Sequence, residues 1–302
     1  MCGIVGLFAK DPGLEARLGA LLSGMLIEMT ERGPDSAGVA FYRQPVADGR
    51  VKISLFDHGA AADWPAVAED LGAALECRPK YEVRGSHAVF SLAAELETLR
   101  AHLARRWPQL RLMSAGSTIE IYKEKGLPGE VIAQFKLPEV SASHAIGHTR
   151  MATESAVTTE HSHPFSTGLD LCLVHNGSLS NHNRLRRELV HRGIHFETDN
   201  DSEVAAGYLT WRLREGASIA EALQAAVTDL DGFYTFAVGT RDGFSVLRDP
   251  IACKHAVLAE CDEWVAMATE FRAIATLPGA ERATVWEPVP GQVYSWNRGG
   301  HA

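Results

Sequence analysis

The chain has 302 residues, enough for one large domain or two small ones, and the composition of an ordinary globular protein. Its formal net charge is −9 and it contains no long basic run, so nucleic acid and anionic membrane surfaces are poor partners. No apolar run is long enough to span a bilayer, and the start of the chain lacks the pattern of a signal peptide.

The chain begins Met-Cys-Gly-Ile-Val-Gly. Initiator methionine is usually removed before a small residue, and we expect the loss of Met1 to leave Cys2 with a free α-amine. The thiolate is the nucleophilic form of cysteine, and a terminal amine with a pKa of about 7.7–8.0 exchanges protons near neutral pH. Cys2 would then carry its own general base. Taken alone, it also fits a small apolar residue at the start of an edge strand.

A strand and a helix follow. Residues 3–9 are apolar and β-prone, which predicts a buried first strand. Asp11 and Pro12 form a helix start, after which leucine and methionine recur at helical spacing. The Gly- and Pro-rich turn at residues 32–38 ends this predicted helix and leads into a strand at 39–42.

Two of these segments carry a family resemblance. Cys-Gly-Ile-Val-Gly at the start and Arg-Gly-Pro-Asp-Ser-Ala-Gly at residues 32–38 together resemble the class II glutamine amidotransferases, which are N-terminal-nucleophile (Ntn) hydrolases. The resemblance implies an α+β fold, the four-layer αββα sandwich, for a single amidotransferase domain at residues 2–302.

Residues 44–143 are the least familiar part of the chain. Leucine-rich helical faces at 64–75 and 92–103 alternate with β-like runs, which include residues 131–135. We predict an inserted α+β lobe within the domain. It lacks a cluster of convergent polar residues, which favours a partner-docking or shielding role over a second catalytic site.

The next segment, residues 144–151, resembles a substrate-binding strand of the family. Its Gly-His-Thr-Arg implies that Arg150 holds the α-carboxylate of glutamine, and a guanidinium suits this role because it forms two parallel hydrogen bonds. Arg150 alone would equally fit a surface salt bridge. Thr153 matches a further substrate-binding position, whereas Glu154-Ser155 departs from the family pairs.

Residues 161–165 read His-Ser-His-Pro-Phe and resemble the Ala-His-Pro segment of the family. Two histidines two positions apart also suggest a metal site, but no acidic or cysteine ligand stands at a fitting spacing. We therefore predict no metal, and we take His163 and Arg32 as supporting residues of the site.

An apolar strand at 169–175 ends in His175-Asn176-Gly177. In the family this tripeptide forms the oxyanion hole, which implies that role for the Asn176 side-chain amide and the Gly177 backbone N–H. The chemistry requires such donors, because attack on a carboxamide places negative charge on its oxygen. An Asn-Gly pair also commonly forms a β-turn.

The segment Thr-Asp-Asn-Asp-Ser-Glu at 198–203 resembles the family loop whose aspartate holds the α-ammonium group of the substrate. We carry that role onto Asp201, although an aspartate here also fits a helix N-cap. The remaining pattern predicts scaffold elements, namely helices at about 202–215 and 218–229 and strands near 233–239, 244–248, 255–259, 264–268, 283–286 and 292–296.

The resemblance implies hydrolysis of L-glutamine through a γ-glutamyl thioester on Cys2. Among stand-alone members, the chain resembles the amidotransferase subunit of glutamate-synthase-like complexes, including N-methylglutamate synthase. That likeness implies a separate synthase subunit that accepts the ammonia and carries FMN and an iron–sulfur cluster, with no cofactor in this chain. Two alternatives stay open: a stand-alone Ntn amidohydrolase for another γ-glutamyl compound, and a non-enzymatic regulatory subunit.

The five cysteines are scattered along the chain and odd in number, and none belongs to a Cys-x-x-Cys pair. This pattern argues against a disulfide framework and against a structural zinc site. It fits a reducing cytoplasm, which we predict as the location and which would keep Cys2 free.

Overall fold

The computed structural model describes residues 2–59, 62–152 and 156–299. Its strands, numbered in chain order, are β1 Gly3–Ala9, β2 Ser36–Tyr42, β3 Val51–Asp57, β4 Lys80–Arg84, β5 His87–Leu92, β6 Leu110–Gly116, β7 Ile119–Lys125, β8 His144–Arg150, β9 Phe165–Gly168, β10 Leu171–Leu179, β11 Gly232–Gly239, β12 Gly243–Arg248, β13 Val257–Glu260, β14 Trp264–Ala268, β15 Thr284–Trp286 and β16 Val293–Asn297. Its helices are α1 Pro12–Glu15, α2 Leu18–Ile27, α3 Trp64–Ala74, α4 Leu96–Arg106, α5 Pro128–Phe135, α6 His182–His191, α7 Asp201–Arg214, α8 Ile219–Asp229 and α9 Phe271–Ile274.

Over the described ranges the strands form three sheets with antiparallel neighbours. The largest has the order β15-β13-β14-β1-β8-β2-β7, and the second has the order β16-β12-β11-β10-β9. The third has the order β4-β5-β3-β6.

The two larger sheets face each other across a shared core. Ile4, Ile146 and Met267 from the first sheet pack with Val174 and Phe244 from the second. The outer face of the first sheet packs on α2, α5 and α9, and that of the second packs on α6, α7 and α8. This arrangement confirms the predicted four-layer αββα sandwich.

Strand β1 shows how the sequence produces these layers. It matches the predicted strand at 3–9 and lies between β14 and β8 in the largest sheet. Val5, Leu7 and Ala9 pack against the helices, whereas Ile4 and Phe8 enter the core between the sheets. The twofold alternation of a strand thus explains why β1 is apolar on both faces.

The single helix predicted after Pro12 is wrong in one respect. The chain forms two helices, α1 and α2, with a break at residues 16–17. The apolar side chains on either side of the break join the same core, so the leucine spacing does not reveal it.

The strands of the third sheet all lie between residues 51 and 116. They share a separate core with α3 and α4, the helices to which the two predicted helical faces correspond. Strand β7 instead pairs with β2 in the largest sheet, and α5 packs beside it. The predicted lobe at 44–143 is therefore longer than the third sheet, and the predicted β-like run at 131–135 is wrong, because those residues are helical. The described helices include none with the length and apolar character of a membrane span.

Candidate active site

The alternation of side chains along three strands brings Cys2, His148 and Asn176 together at one end of the sandwich. Ile4 enters the space between the two large sheets, so Cys2, two residues earlier, lies on the same side. On β8, His148 follows Ile146 into that space, and on β10, Asn176 follows Val174. The end of the sandwich therefore gathers a thiol, an imidazole and a carboxamide.

Cys2 is held by its backbone. Its carbonyl oxygen accepts a hydrogen bond from Arg32 Nε at 3.1 Å and another from Asn176 Nδ2 at 3.2 Å. Its half-buried side chain places Sγ 3.8 Å from the carbonyl oxygen of Met151. Arg32, predicted as a supporting residue, therefore contacts Cys2 directly. Its guanidinium also forms an ion pair with Glu270.

Asn176 and Gly177 lie inside β10, opposite Thr235 and Tyr234 of β11, and not in a hairpin turn. The alternative interpretation of Asn-Gly as a β-turn is therefore wrong. Gly177 has φ +145°, and a Cβ on it would lie 2.0 Å from the carbonyl oxygen of Phe233. Close approach of two strands thus requires glycine at this position.

A cleft of about 760 Å³ opens beside Cys2. Its walls include residues from several parts of the chain, namely Cys2, Arg32, Met151, Asn176, Gly177, Cys253, Lys254, His255, Ala256, Val257, Thr269, Glu270, Phe271 and Glu287. Thr269 was not predicted as a site residue, yet its Oγ1 accepts from Ile4 N at 2.8 Å and from Asn176 Nδ2 at 3.3 Å. A sequence signal for Thr269 is its position directly after the predicted strand at 264–268.

Arg150 and Asp201 are not among the described residues that line this cleft. Arg150 is buried at the end of β8, and its Nη1 donates to the carbonyl of Ala156 at 3.1 Å. Asp201 is the first residue of α7, and its carboxylate accepts the backbone N–H of Leu179 at 2.9 Å. Thr153 lies outside the described residues, so its predicted role stays a prediction.

Asp35, in the turn after Arg32, connects the nucleophile region with the end of β8. Its backbone N–H donates to the carbonyl of Arg150 at 3.0 Å, and its carboxylate accepts the N–H of Ala152 at 2.8 Å. Gly33 allows this contact, since a Cβ there would lie 2.3 Å from the backbone carbon of Thr149. The specific turn sequence thus has a packing reason.

A group of buried histidines lies behind Asn176. His163 and His175 both contact the Ser202 hydroxyl, at 2.8 and 2.9 Å, and the rings of His163 and His148 stack at 4.0 Å. Burial lowers the pKa of His148 to about 3 and holds the pKa of His163 well below its usual value. These imidazoles are therefore neutral at physiological pH.

No group of three or more histidine, cysteine, aspartate or glutamate side chains within the described ranges is placed to hold a metal ion. The other histidine of the suspected pair, His161, contacts Asp199 at 3.0 Å.

The αββα sandwich, with a cysteine directly before its central first strand and a carboxamide at that cysteine, defines the class of Ntn hydrolases. A family model described as "Glutamine amidotransferase domain" matches residues 148–276. The chain is 55% identical to "Glutamine amidotransferase-like protein GlxB" of Rhizobium meliloti (strain 1021), over 98% of both chains. A relative from Methanothermobacter thermautotrophicus is 32% identical over 89% of this chain and 92% of its own.

The protein therefore belongs to the glutamine amidotransferase family, in its class II form, and is an enzyme of that class. Glutamine phosphoribosylpyrophosphate amidotransferase from B. subtilis shares the fold with a TM-score of 0.63 at 20% identity. The match covers 99% of this chain and 48% of that one, so the present chain spans about half of that enzyme.

Proposed function

We propose that the protein hydrolyses L-glutamine to glutamate and ammonia through a thioester on Cys2. The Cys2 α-amine takes the thiol proton, and the thiolate attacks the γ-carboxamide carbon. As the C–N bond breaks, the leaving nitrogen takes that proton from the α-ammonium group and departs as ammonia, which leaves the γ-glutamyl thioester. Water then cleaves the thioester and releases glutamate. The observation that carries this proposal is the position of Cys2 at the cleft, with Asn176 Nδ2 3.2 Å from its backbone oxygen.

In this mechanism Asn176 and the Gly177 N–H stabilise the oxyanion. A carboxamide held at the Cys2 thiol comes within reach of Asn176 Nδ2, which already points at the same residue. The loss of one such donor lowers turnover by about 10²–10³-fold in other enzymes. Both groups belong to a strand paired along its whole length, which keeps them fixed before substrate arrives.

Arg150 and Asp201 are proposed to bind the α-carboxylate and the α-ammonium group, with Thr153 beside them. Support comes from their anchored positions at the end of β8 and at the start of α7. Both elements also hold the histidine group behind Asn176, so substrate binding and the oxyanion site share one framework.

The fate of the ammonia points to a partner. We propose a synthase subunit of a glutamate-synthase-like or N-methylglutamate synthase complex, with FMN and iron–sulfur chemistry on that subunit, in the cytoplasm. We propose the 44–143 lobe, which includes the third sheet, as the surface on which that subunit docks. Co-purification of the chain with flavoprotein from its own cells tests this, and a chain that isolates alone under every gentle condition argues against it.

The size of the cleft favours one second candidate. Pockets of about 300–1,000 Å³ accommodate drug-sized ligands, and 760 Å³ falls well inside that range. A larger γ-glutamyl compound is thus a candidate substrate. Comparing kcat/KM for glutamine with that for γ-glutamyl amides and peptides decides between the two.

Loss of the thiol provides the direct test. Cys2→Ala should abolish release of glutamate, whereas Cys253→Ala, which removes the exposed thiol of the same cleft, should retain it. Labelling by 6-diazo-5-oxo-norleucine should add one mass increment at Cys2, in a chain whose intact mass shows loss of Met1. Full activity of Cys2→Ala would overturn the proposal, and a wild-type chain that is neither labelled nor active would favour a regulatory subunit.

A further inference from the structure

We propose that His148 is a positioning residue, which orients the Asn176 carboxamide so that its nitrogen faces the reacting carbonyl. This inference rests on the proposed oxyanion role of Asn176. A carboxamide has two ends of nearly equal shape, but one donates hydrogen bonds and the other accepts them. If Asn176 were reversed, an oxygen would face the developing oxyanion and repel it.

The contacts of His148 assign a hydrogen to one ring nitrogen. Nε2 lies 3.2 Å from the carbonyl oxygen of His175, which can only accept, so Nε2 must be the N–H of the neutral ring. The same Nε2 lies 3.1 Å from Asn176 Oδ1. A donor at this point selects the oxygen end of Asn176 and turns Nδ2 towards Cys2.

The ring has little freedom to change this role. His148 is 1% exposed, and Nδ1 has no hydrogen-bond partner in the part of the chain that the structure describes. The stacked ring of His163 fixes its plane, and the low pKa that burial produces keeps it neutral. One tautomer and one orientation therefore persist over the physiological pH range.

The interaction also connects the two sheets. His148 of β8 pairs with Ile4 of β1, two residues after the nucleophile, and Asn176 lies in β10 of the facing sheet. The carbonyl oxygen of Cys2 and Thr269 Oγ1 also accept from Asn176 Nδ2 and favour the same orientation of the amide. Substitution of His148 measures whether those two contacts alone would suffice.

Two substitutions form a matched pair. In His148→Gln the side-chain amide nitrogen reaches the position of Nε2, whereas in His148→Asn it stops near the position of Nδ1. We expect His148→Asn to lower kcat for glutamine by about 10- to 100-fold with a KM change below about threefold. This loss is smaller than for removal of an oxyanion donor, because Asn176 itself is retained. His148→Gln should recover kcat to within about fivefold of wild type.

A double substitution separates positioning from a general structural effect. If His148 acts through Asn176, His148→Asn/Asn176→Ala should be no slower than Asn176→Ala alone. Multiplicative losses, or equal kcat values for His148→Asn and wild type, would overturn the inference. Urea unfolding of all four variants shows that the comparison is made between folded proteins.

A measurement on the wild-type protein needs no variant and no substrate. Nitrogen-15 NMR of the histidine rings should show His148 neutral and protonated at Nε2 between pH 6 and 8. Protonation at Nδ1 would refute the inference. A wild-type chain that is inert towards glutamine would refute the proposed function, but the tautomer would still report on His148 itself.

Discussion

Gly177→Ala is expected to destabilise the protein strongly, although it adds a single methyl group. The glycine has φ +145°, where a side chain costs about 1–3 kcal/mol. The new Cβ would also lie 2.0 Å from the Phe233 carbonyl oxygen and 2.8 Å from His175 Nε2, and such overpacking costs about 1–3 kcal/mol. The two effects together give a loss of about 2–6 kcal/mol in the free energy of unfolding.

Gly6→Ala in β1 is the matched control. Its Cβ would meet its nearest neighbours at 3.6–3.7 Å, which is ordinary van der Waals contact. Urea denaturation of wild type and both variants, followed by circular dichroism, should give a loss below about 1 kcal/mol for Gly6→Ala. A Gly177→Ala protein as stable as Gly6→Ala would refute the reasoning from close strand approach.

Three further outcomes are expected. The buried Lys123 ammonium donates to the carbonyls of residues 160, 162 and 164, and burial lowers the pKa of Lys123 to about 8. Because the unfolded chain binds this proton more tightly than the folded one, the stability of wild type relative to Lys123→Met should rise by about 3 kcal/mol between pH 8 and 10.5. A pH-independent difference in urea titrations would contradict this. Glu270→Gln weakens the pairing that holds Arg32 on Cys2, so kcat/KM for glutamine should fall by about fivefold, equivalent to about 1 kcal/mol, with unchanged unfolding; an unaltered kcat/KM would exclude this role. Asp35→Ala removes the acceptor of the Ala152 N–H beside the proposed carboxylate site, so KM should rise about tenfold, a larger change than the fall in kcat. An effect on kcat alone would contradict this role of Asp35.

The sequence predicts best where a local pattern and a family motif coincide. Strand β1, strand β10 up to Asn176, and helix α7 from Asp201 all lie where their apolar spacing and turn residues indicate. The predicted β-like run at 131–135 fails because a segment of five mainly apolar residues fits both a strand and one and a half turns of a helix. In the structure it belongs to α5, which packs against β2 and β7. Leu92, placed on a helical face by its spacing, belongs instead to β5, where it pairs with Val51 of β3 and joins the core of the third sheet.

The unpredicted parts of the site depend on contacts between distant strands. Thr269 reaches Asn176 because β14 pairs with β1, and His148 reaches it because two sheets stack. No spacing along the chain encodes the register of such pairs. In the Gly-His-Thr-Arg segment the predicted site residue is Arg150, whereas the residue that contacts Asn176 is His148.

The central place of β1 has a consequence for synthesis. Strand β1, which directly follows the nucleophile, pairs with β8 and β14, whose residues are translated some 140 and 260 positions later. Neither neighbour has been translated when β1 is made, and such long-range pairing is slow to form. Because Thr269, which accepts from Asn176 Nδ2, follows β14, a nascent chain that stops before this residue holds no complete active site.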